Sequence, residues 1–180
     1  MKTTSISLLY RVANEPNDKD WVRFLSIYRP LIRSQIRSFP ALVGLADDIA
    51  QDVVLVLIRE LPHFQRQRLG AFRTWLRQIV VNQIRYAVRN NRKFFTGDEL
   101  TQTVLEQADL LADPASIVAE QWDKEHDRFV FRRACELVQQ EVSPIHWKAF
   151  LRYGLSGEPL DQVAEALGLS KNSVMLCKSR

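Results

Sequence analysis

Glycine, proline and cysteine are scarce in this chain of 180 residues, which contains 6 Gly, 7 Pro and 2 Cys. So few turn-forming residues favour helices over a turn-rich sheet. Cys135 and Cys177 lie far apart and neither belongs to a CxxC pair, so the sequence offers neither a zinc-finger pattern nor a disulfide framework. We therefore expect an all-α protein of a reducing compartment, the cytoplasm.

Long apolar runs are also lacking. No stretch approaches the roughly 20 apolar residues of a membrane-spanning helix, and the N-terminus lacks the apolar run of a signal peptide. Hydrophobic residues make up 46% of the chain and charged residues 26%, as in ordinary globular proteins. We therefore expect a globular protein of one large or two small domains, with no membrane partner.

Charge is distributed unevenly along the chain, although the net charge is only +4. Residues 1–93 carry 16 Lys or Arg against 7 Asp or Glu, residues 94–127 carry 1 against 9, and residues 128–180 carry 8 against 5. This order indicates two modules that face a polyanion, joined by a connector that the polyanion would repel. A set of ordinary solvated faces explains the same counts, so charge alone leaves both interpretations open.

Apolar residues recur at helical spacing through the first half of the chain. The pattern predicts helices over residues 20–39, 48–61 and 71–92, with a basic, irregular loop over residues 63–70. Together these elements predict a first small helical domain, residues 1–93.

The third of these helices has two unlike sides on a helical wheel. The apolar side holds Phe72, Trp75, Leu76, Ile79, Val80, Tyr86 and Ala87. The polar side holds Gln78, Asn82, Arg85, Arg89 and Arg92. Because the arginine fork bonds phosphate or guanine in two places, the polar side predicts nucleic-acid contact, with a solvated basic face as the alternative. His63 and Phe64 in the loop are better placed than Trp75 to meet an extruded base.

The rest of the chain predicts an acidic linker and a second small helical domain. Residues 94–120 have weaker periodicity, which favours the linker, and short amphipathic segments follow over residues 121–180. Near the C-terminus an amphipathic helix, a turn at Gly168 and a further helix are typical of a helix-turn-helix, although an ordinary helical hairpin has the same pattern. A recognition helix here would present Lys171 and Asn172 at its N-terminal end.

Three motifs in a fixed order carry a resemblance to a known family. They are Asp48-Ile-Ala-Gln-Asp52 with the helix to Leu61, then Phe72-Arg-Thr-Trp75-Leu76 with Ile79 and Asn82, and then the segment from Leu160 to Val174. Over nearly its whole length the chain resembles sigma-70 family RNA polymerase factors of the extracytoplasmic function group. The resemblance implies a promoter-specific transcription initiation factor that is not an enzyme and needs no cofactor.

The resemblance also implies three binding surfaces. The helix that begins at Asp48 would bind the clamp helices of the largest subunit of bacterial core RNA polymerase through Asp48, Gln51, Asp52, Val56 and Arg59. The loop and the third helix would open the minus-10 element and hold its melted non-template strand through His63, Phe64, Arg66, Arg68, Arg73, Asn82, Arg85, Arg89 and Arg92. The last helix would read the minus-35 element as duplex DNA through Ser170, Lys171, Asn172, Ser173, Lys178 and Arg180.

Further implications of the resemblance concern partners and length. The polymerase flap is a second expected contact, and an anti-sigma protein is a partner that the sequence leaves open. The acidic linker would run through the RNA exit path of the polymerase. Family members continue the recognition helix beyond the position of Arg180, so we expect weaker minus-35 binding from a helix that ends there, because it would fray.

Two other functions remain open on the residues alone. A stand-alone helix-turn-helix regulator would bind a palindromic operator as a dimer, but it leaves the acidic helix and the basic loop unexplained. A metal-dependent nuclease could use Asp47, Asp48 and Asp52, but no His or Glu nearby in sequence completes a metal site. The sequence also lacks a glycine-rich phosphate loop and an activated nucleophile.

Overall fold

The computed structural model describes residues 4–14, 17–65, 70–91 and 98–179, and within these ranges the chain is helical with no strand. This confirms the predicted all-α fold class. The helices are α1 (Thr4–Asn14), α2 (Asp18–Arg37), α3 (Ala46–Glu60), α4 (Ala71–Asn90), α5 (Asp98–Ala112), α6 (Ile117–Glu141), α7 (Pro144–Ala149), α8 (Leu160–Leu167) and α9 (Lys171–Ser179). Short 3₁₀ turns occupy Pro40–Leu45 and Leu61–His63, and a π-helical turn occupies Phe150–Leu155. None of the described helices is long and apolar enough to cross a membrane.

The chain divides into two compact units, residues 2–131 and residues 132–180. The division lies inside α6, so the acidic residues 94–120, which the sequence predicts to be a linker, fall within the first unit. The two units are described separately below.

The core of the first unit is built from α2, α3 and α4. Asn17 caps α2 by accepting a hydrogen bond from the Asp20 backbone N–H at 2.9 Å, which satisfies one of the free donors at the helix start. The side chains with the least exposure include Phe24, Leu31, Ile32, Ile36, Ile49, Leu57, Leu76 and Ile84. Each such side chain contributes about 1.5–3 kcal/mol relative to an exposed one, so this apolar contact holds the three helices together.

Helix α5 packs along α4, where the sequence predicts a linker. Its Val104, Ala108 and Leu111 are buried, and their spacing of four and three residues places them on one side of the helix. Helix α4 has a matching second set of buried residues, Arg77, Val81, Ile84 and Val88. The segment is a packed helix and not a linker because a narrow apolar stripe runs along one side of this otherwise acidic helix.

The N-terminal half of α6 belongs to the first unit and packs within it. Its Ala119, Trp122 and His126 are buried, and the His126 ring lies 6.0 Å from the Tyr28 ring of α2. Burial lowers the pKa of His126, although the hydrogen bond of its Nδ1 with Asp127 acts in the opposite direction. The acidic segment is thus part of the fold of the first unit.

The second unit has a small core formed around Ala149, Val163, Ala164 and Val174. Gly168 ends α8 with a φ of +63°, a conformation that side-chain-bearing residues rarely adopt. Ser170 then begins α9 as its cap, because its Oγ accepts a hydrogen bond from the Ser173 backbone N–H at 3.1 Å. The turn between α8 and α9 therefore lies at the glycine where the sequence predicts one.

Candidate nucleic-acid interface

One side of α4 is open to solvent along its length. Gln78, Asn82, Tyr86 and Arg89 are exposed there and form what we call the α4 face. Gln78 Nε2 donates a hydrogen bond to Asn82 Oδ1 at 3.1 Å, one helical turn away. The face carries amide, phenol and guanidinium groups, which can bond base edges and phosphates. Tyr86 differs from its predicted place on the apolar side, because it lies at the edge of the buried arc.

An aromatic pocket lies where the loop after α3 meets the start of α4. It is a depression open to solvent, with a volume of about 560 Å³, and is lined by His63, Phe64, Gln65, Ala71, Thr74, Trp75 and Gln78. The Phe64 and Trp75 ring centroids are 4.8 Å apart with an interplanar angle of 35°, and Phe72 contacts both rings from the core. An apolar surface with polar groups around it suits a planar, hydrogen-bonding ligand such as a nucleobase.

The position of the pocket follows from how α3 ends and α4 begins. Leu61 is fully buried and anchors the 3₁₀ turn, and Phe64 donates its backbone N–H to the Leu61 carbonyl at 3.1 Å. Gly70 adopts a φ of +80° just before α4, which side-chain-bearing residues tolerate poorly. These local features hold Phe64 beside Trp75. The sequence predicts His63 and Phe64 here but assigns Trp75 to the core, whereas Trp75 is only half-buried.

Two arginines of α4 turn towards α6 and away from the α4 face. Arg73 Nε lies 3.0 Å from Asp123 Oδ2, and Arg73 Nη1 also donates to Asp127. Arg77 is 4% exposed and donates from Nη1 to Asp123 Oδ1 at 2.8 Å and to the Ala119 carbonyl at 3.2 Å. Arg73 was predicted to contact DNA, but it lies about half a helical turn from Asn82 and is engaged by carboxylates. Arg73 therefore joins α4 to α6 and does not belong to the α4 face.

Arg85 and Arg89 lie nearer the open side of α4, in different surroundings. Arg85 is partly exposed and donates from Nη2 to Asp109 of α5. Arg89 is exposed, and no carboxylate partner is found for it among the described residues. Four residues predicted to bind DNA, Arg66, Arg68, Arg92 and Arg180, lie outside the described residues, as does the side chain of Lys178.

A second exposed surface lies on α3, and we call it the α3 surface. It contains Asp48, Gln51, Asp52, Leu55 and Arg59, all exposed. Four of these are predicted polymerase contacts, while the fifth predicted contact, Val56, is half-buried beside them. Leu55 is not among the predicted contacts, but it is 57% exposed and shares the solvent side of the helix with the charged residues. An apolar side chain with a polar rim around it is compatible with a protein-binding surface.

The carboxylates of α3 do not assemble a metal site. Asp47 forms an ion pair with Arg33 of α2. No group of three or more metal-ligating side chains is found within the ranges that the structure describes. The alternative of a metal-dependent nuclease therefore gains no structural observation in its favour.

In the second unit the predicted DNA-reading residues lie at the start of α9. Lys171 and Asn172 are exposed, and Ser173 is half-buried. Lys171 Nζ lies 2.7 Å from Asp161 Oδ1 of α8. The oxygen of Ser170 is occupied as the helix cap, so Ser170 has a structural role besides any contact with DNA.

Comparison with known proteins gives one match. Residues 24–94 match the family model of sigma-70 region 2, and this segment includes the α3 surface, the aromatic pocket and the α4 face. No curated protein and no solved structure matches the chain. The segment from residue 24 to residue 94, which we call the sigma-70 region 2 segment, is therefore similar to that family.

Proposed function

We propose that this protein is a sigma factor of the extracytoplasmic function group, which binds bacterial core RNA polymerase and directs it to specific promoters. The observation that carries the proposal is the aromatic pocket, which opens beside an exposed polar helix face within the sigma-70 region 2 segment. On one surface, the pocket could hold an extruded base while the polar side chains of the α4 face bind the neighbouring DNA backbone.

The first unit would recognise and open the minus-10 element. An unpaired base would stack against Trp75 and Phe64, while Gln78 and Gln65 offer amide groups to its edge. Asn82 and Arg89 would contact the adjoining strand. Stacking on an aromatic ring contributes on the order of 1–3 kcal/mol per base, which offsets part of the cost of unpairing and unstacking that base. The source of free energy is binding, with no covalent step.

The second unit would read the minus-35 element as a helix-turn-helix. The N-terminal end of α9 presents Lys171 and Asn172 to solvent, which is where such helices meet the major groove. Lys171 would exchange its ion pair with Asp161 for a phosphate or base contact. That exchange costs little, because both groups of the pair are exposed.

Transcription with purified core polymerase tests the proposal directly. We expect specific run-off transcripts from genomic fragments of the host only when the full chain is added. Core polymerase alone, and core polymerase with an unrelated basic protein, are the controls. A chain that fails to bind core polymerase would refute the proposal and favour a stand-alone regulator.

Replacing Trp75 with Ala should weaken binding of the non-template strand by about 1–3 kcal/mol, because the base loses its stacking surface. The measurement is the affinity of the polymerase complex for a single-stranded minus-10 oligonucleotide. Gln78→Ala, at an exposed position, gives a second pocket variant that leaves the aromatic cluster in place. Both variants should bind duplex DNA upstream of the element as the original chain does. Unchanged single-strand affinity in both would remove the pocket from the mechanism.

A further inference from the structure

Arg85 is an arginine of α4 whose ion pair is largely open to solvent. Its guanidinium donates to the carboxylate of Asp109, and the two side chains are 32% and 66% exposed, respectively. The pairs of Arg73 and Arg77 with Asp123 are more enclosed. The Arg85–Asp109 pair therefore differs in setting from the two pairs that Asp123 of α6 forms, and it differs from the open Arg73–Asp127 pair in bordering the α4 face.

The packing of α5 holds Asp109 in this position. Val104, Ala108 and Leu111 are buried, so the helix that carries Asp109 is fixed along α4 by apolar contact. An exposed ion pair contributes only about 0–1 kcal/mol to stability. Since α5 is held by its apolar side, the Asp109 carboxylate is not needed to keep the helix in place.

Arg85 sits close to the α4 face. It follows Asn82 by three residues and precedes Arg89 by four, so its side chain borders the exposed row. A phosphate that approached Asn82 and Arg89 would come within reach of Arg85, but Asp109 already neutralises that charge. The carboxylate therefore competes with DNA for the same guanidinium.

We propose that Asp109 attenuates DNA binding by the α4 face, acting as an internal competitor of the DNA backbone for Arg85. The proposal rests on the proposed function, since it requires that the α4 face binds DNA. A DNA phosphate must displace Asp109 before it bonds Arg85, so the free protein has one fewer cation available to duplex DNA. This lowers the affinity of the chain for DNA in general.

The test compares two charge-removing variants on the same helix. Asp109→Asn should bind a fluorescent duplex at least about threefold more tightly than the original chain. The slope of log affinity against log salt should steepen by up to about 0.9, the value for one phosphate contact, because the original chain makes that contact only when Asp109 is displaced. Glu106→Gln is the matched control, because Glu106 is an exposed carboxylate whose hydrogen-bond partner is Gln102, not an arginine. It should change affinity much less.

Asp109→Asn in an Arg85→Ala background separates the effect of the Arg85–Asp109 pair from the effect of net charge. Asp109→Asn should have no effect there, because the contested guanidinium is gone. Equal tightening by Asp109→Asn and Glu106→Gln, or tightening that persists without Arg85, would overturn the proposal. Arg89→Ala separates it from the proposed function: if that variant weakens binding while Asp109→Asn changes nothing, the α4 face remains a DNA surface and attenuation is wrong. If neither variant changes affinity, the DNA surface itself is wrong and attenuation fails with it.

Discussion

Replacing Leu55 with Asp should lower the affinity for core RNA polymerase by at least about 30-fold, the effect of losing a hot-spot side chain worth 2 kcal/mol. Leu55 is the apolar residue within the α3 surface, and it is flanked there by Asp52 and Arg59. A carboxylate at this position would have to lose its hydration in a dry contact. Titration of fluorescently labelled chain with core polymerase gives the affinity, and thermal unfolding shows whether the fold is kept.

Ile117→Asp is the matched control for that experiment. Ile117 is 80% exposed at the start of α6, so the substitution introduces the same charge at another exposed apolar position. It should bind polymerase with unchanged affinity. Asp52→Arg, which reverses one charge on the α3 surface, should weaken binding as Leu55→Asp does. An intact fold with full polymerase affinity in both α3 variants would show that polymerase binds elsewhere.

The helices in the core of the first unit could be predicted because each has a broad apolar side with regular spacing. The sequence places the third helix over residues 71–92, and α4 runs from Ala71 to Asn90. The second predicted helix, residues 48–61, corresponds to α3, which begins two residues earlier. In these segments the core-facing residues recur every three or four positions, so a helical wheel identifies the buried side.

The acidic segment could not be predicted in the same way. Its carboxylates dominate the composition, and the buried stripe of α5 consists of only three residues. A signal was nevertheless present in the partner helix, since Val81, Ile84 and Val88 form an apolar row outside the first buried side of α4. A second apolar row implies a second packing partner, but a helical wheel does not show which segment packs there. The position of α5 is therefore known only from its tertiary contact with α4.

Part of the candidate site could be predicted from the sequence. The residues that could not be predicted lie at the border of the apolar side of α4. Phe64, Asn82 and Arg89 are found where an exposed site needs them. Trp75 and Tyr86 belong to the predicted apolar side but reach solvent, because large aromatic side chains at its border extend past the packed helices. The ion pairs of Arg73 could not be predicted for another reason, since its carboxylate partners lie 50 or more residues away in sequence.

Replacing Asp123 with Ala should destabilise the first unit by about 3–5 kcal/mol, because it leaves the buried Arg77 charge without its carboxylate. Arg77 is almost fully enclosed, and the Ala119 carbonyl is its other described hydrogen-bond partner. Urea unfolding followed by circular dichroism gives the free energy of unfolding.

Asp127→Ala provides the comparison that separates burial from charge. Asp127 pairs with Arg73 and with Nδ1 of His126 but is itself 62% exposed, so its loss should cost less than that of Asp123, about 1–2 kcal/mol. The double variant Arg77→Met with Asp123→Leu should recover most of the stability lost in Asp123→Ala, since apolar side chains of similar size can replace a buried ion pair. Equal, small losses in Asp123→Ala and Asp127→Ala would mean that Arg77 reaches water once Asp123 is gone. In that case, the contact between α4 and α6 would depend on its apolar residues alone.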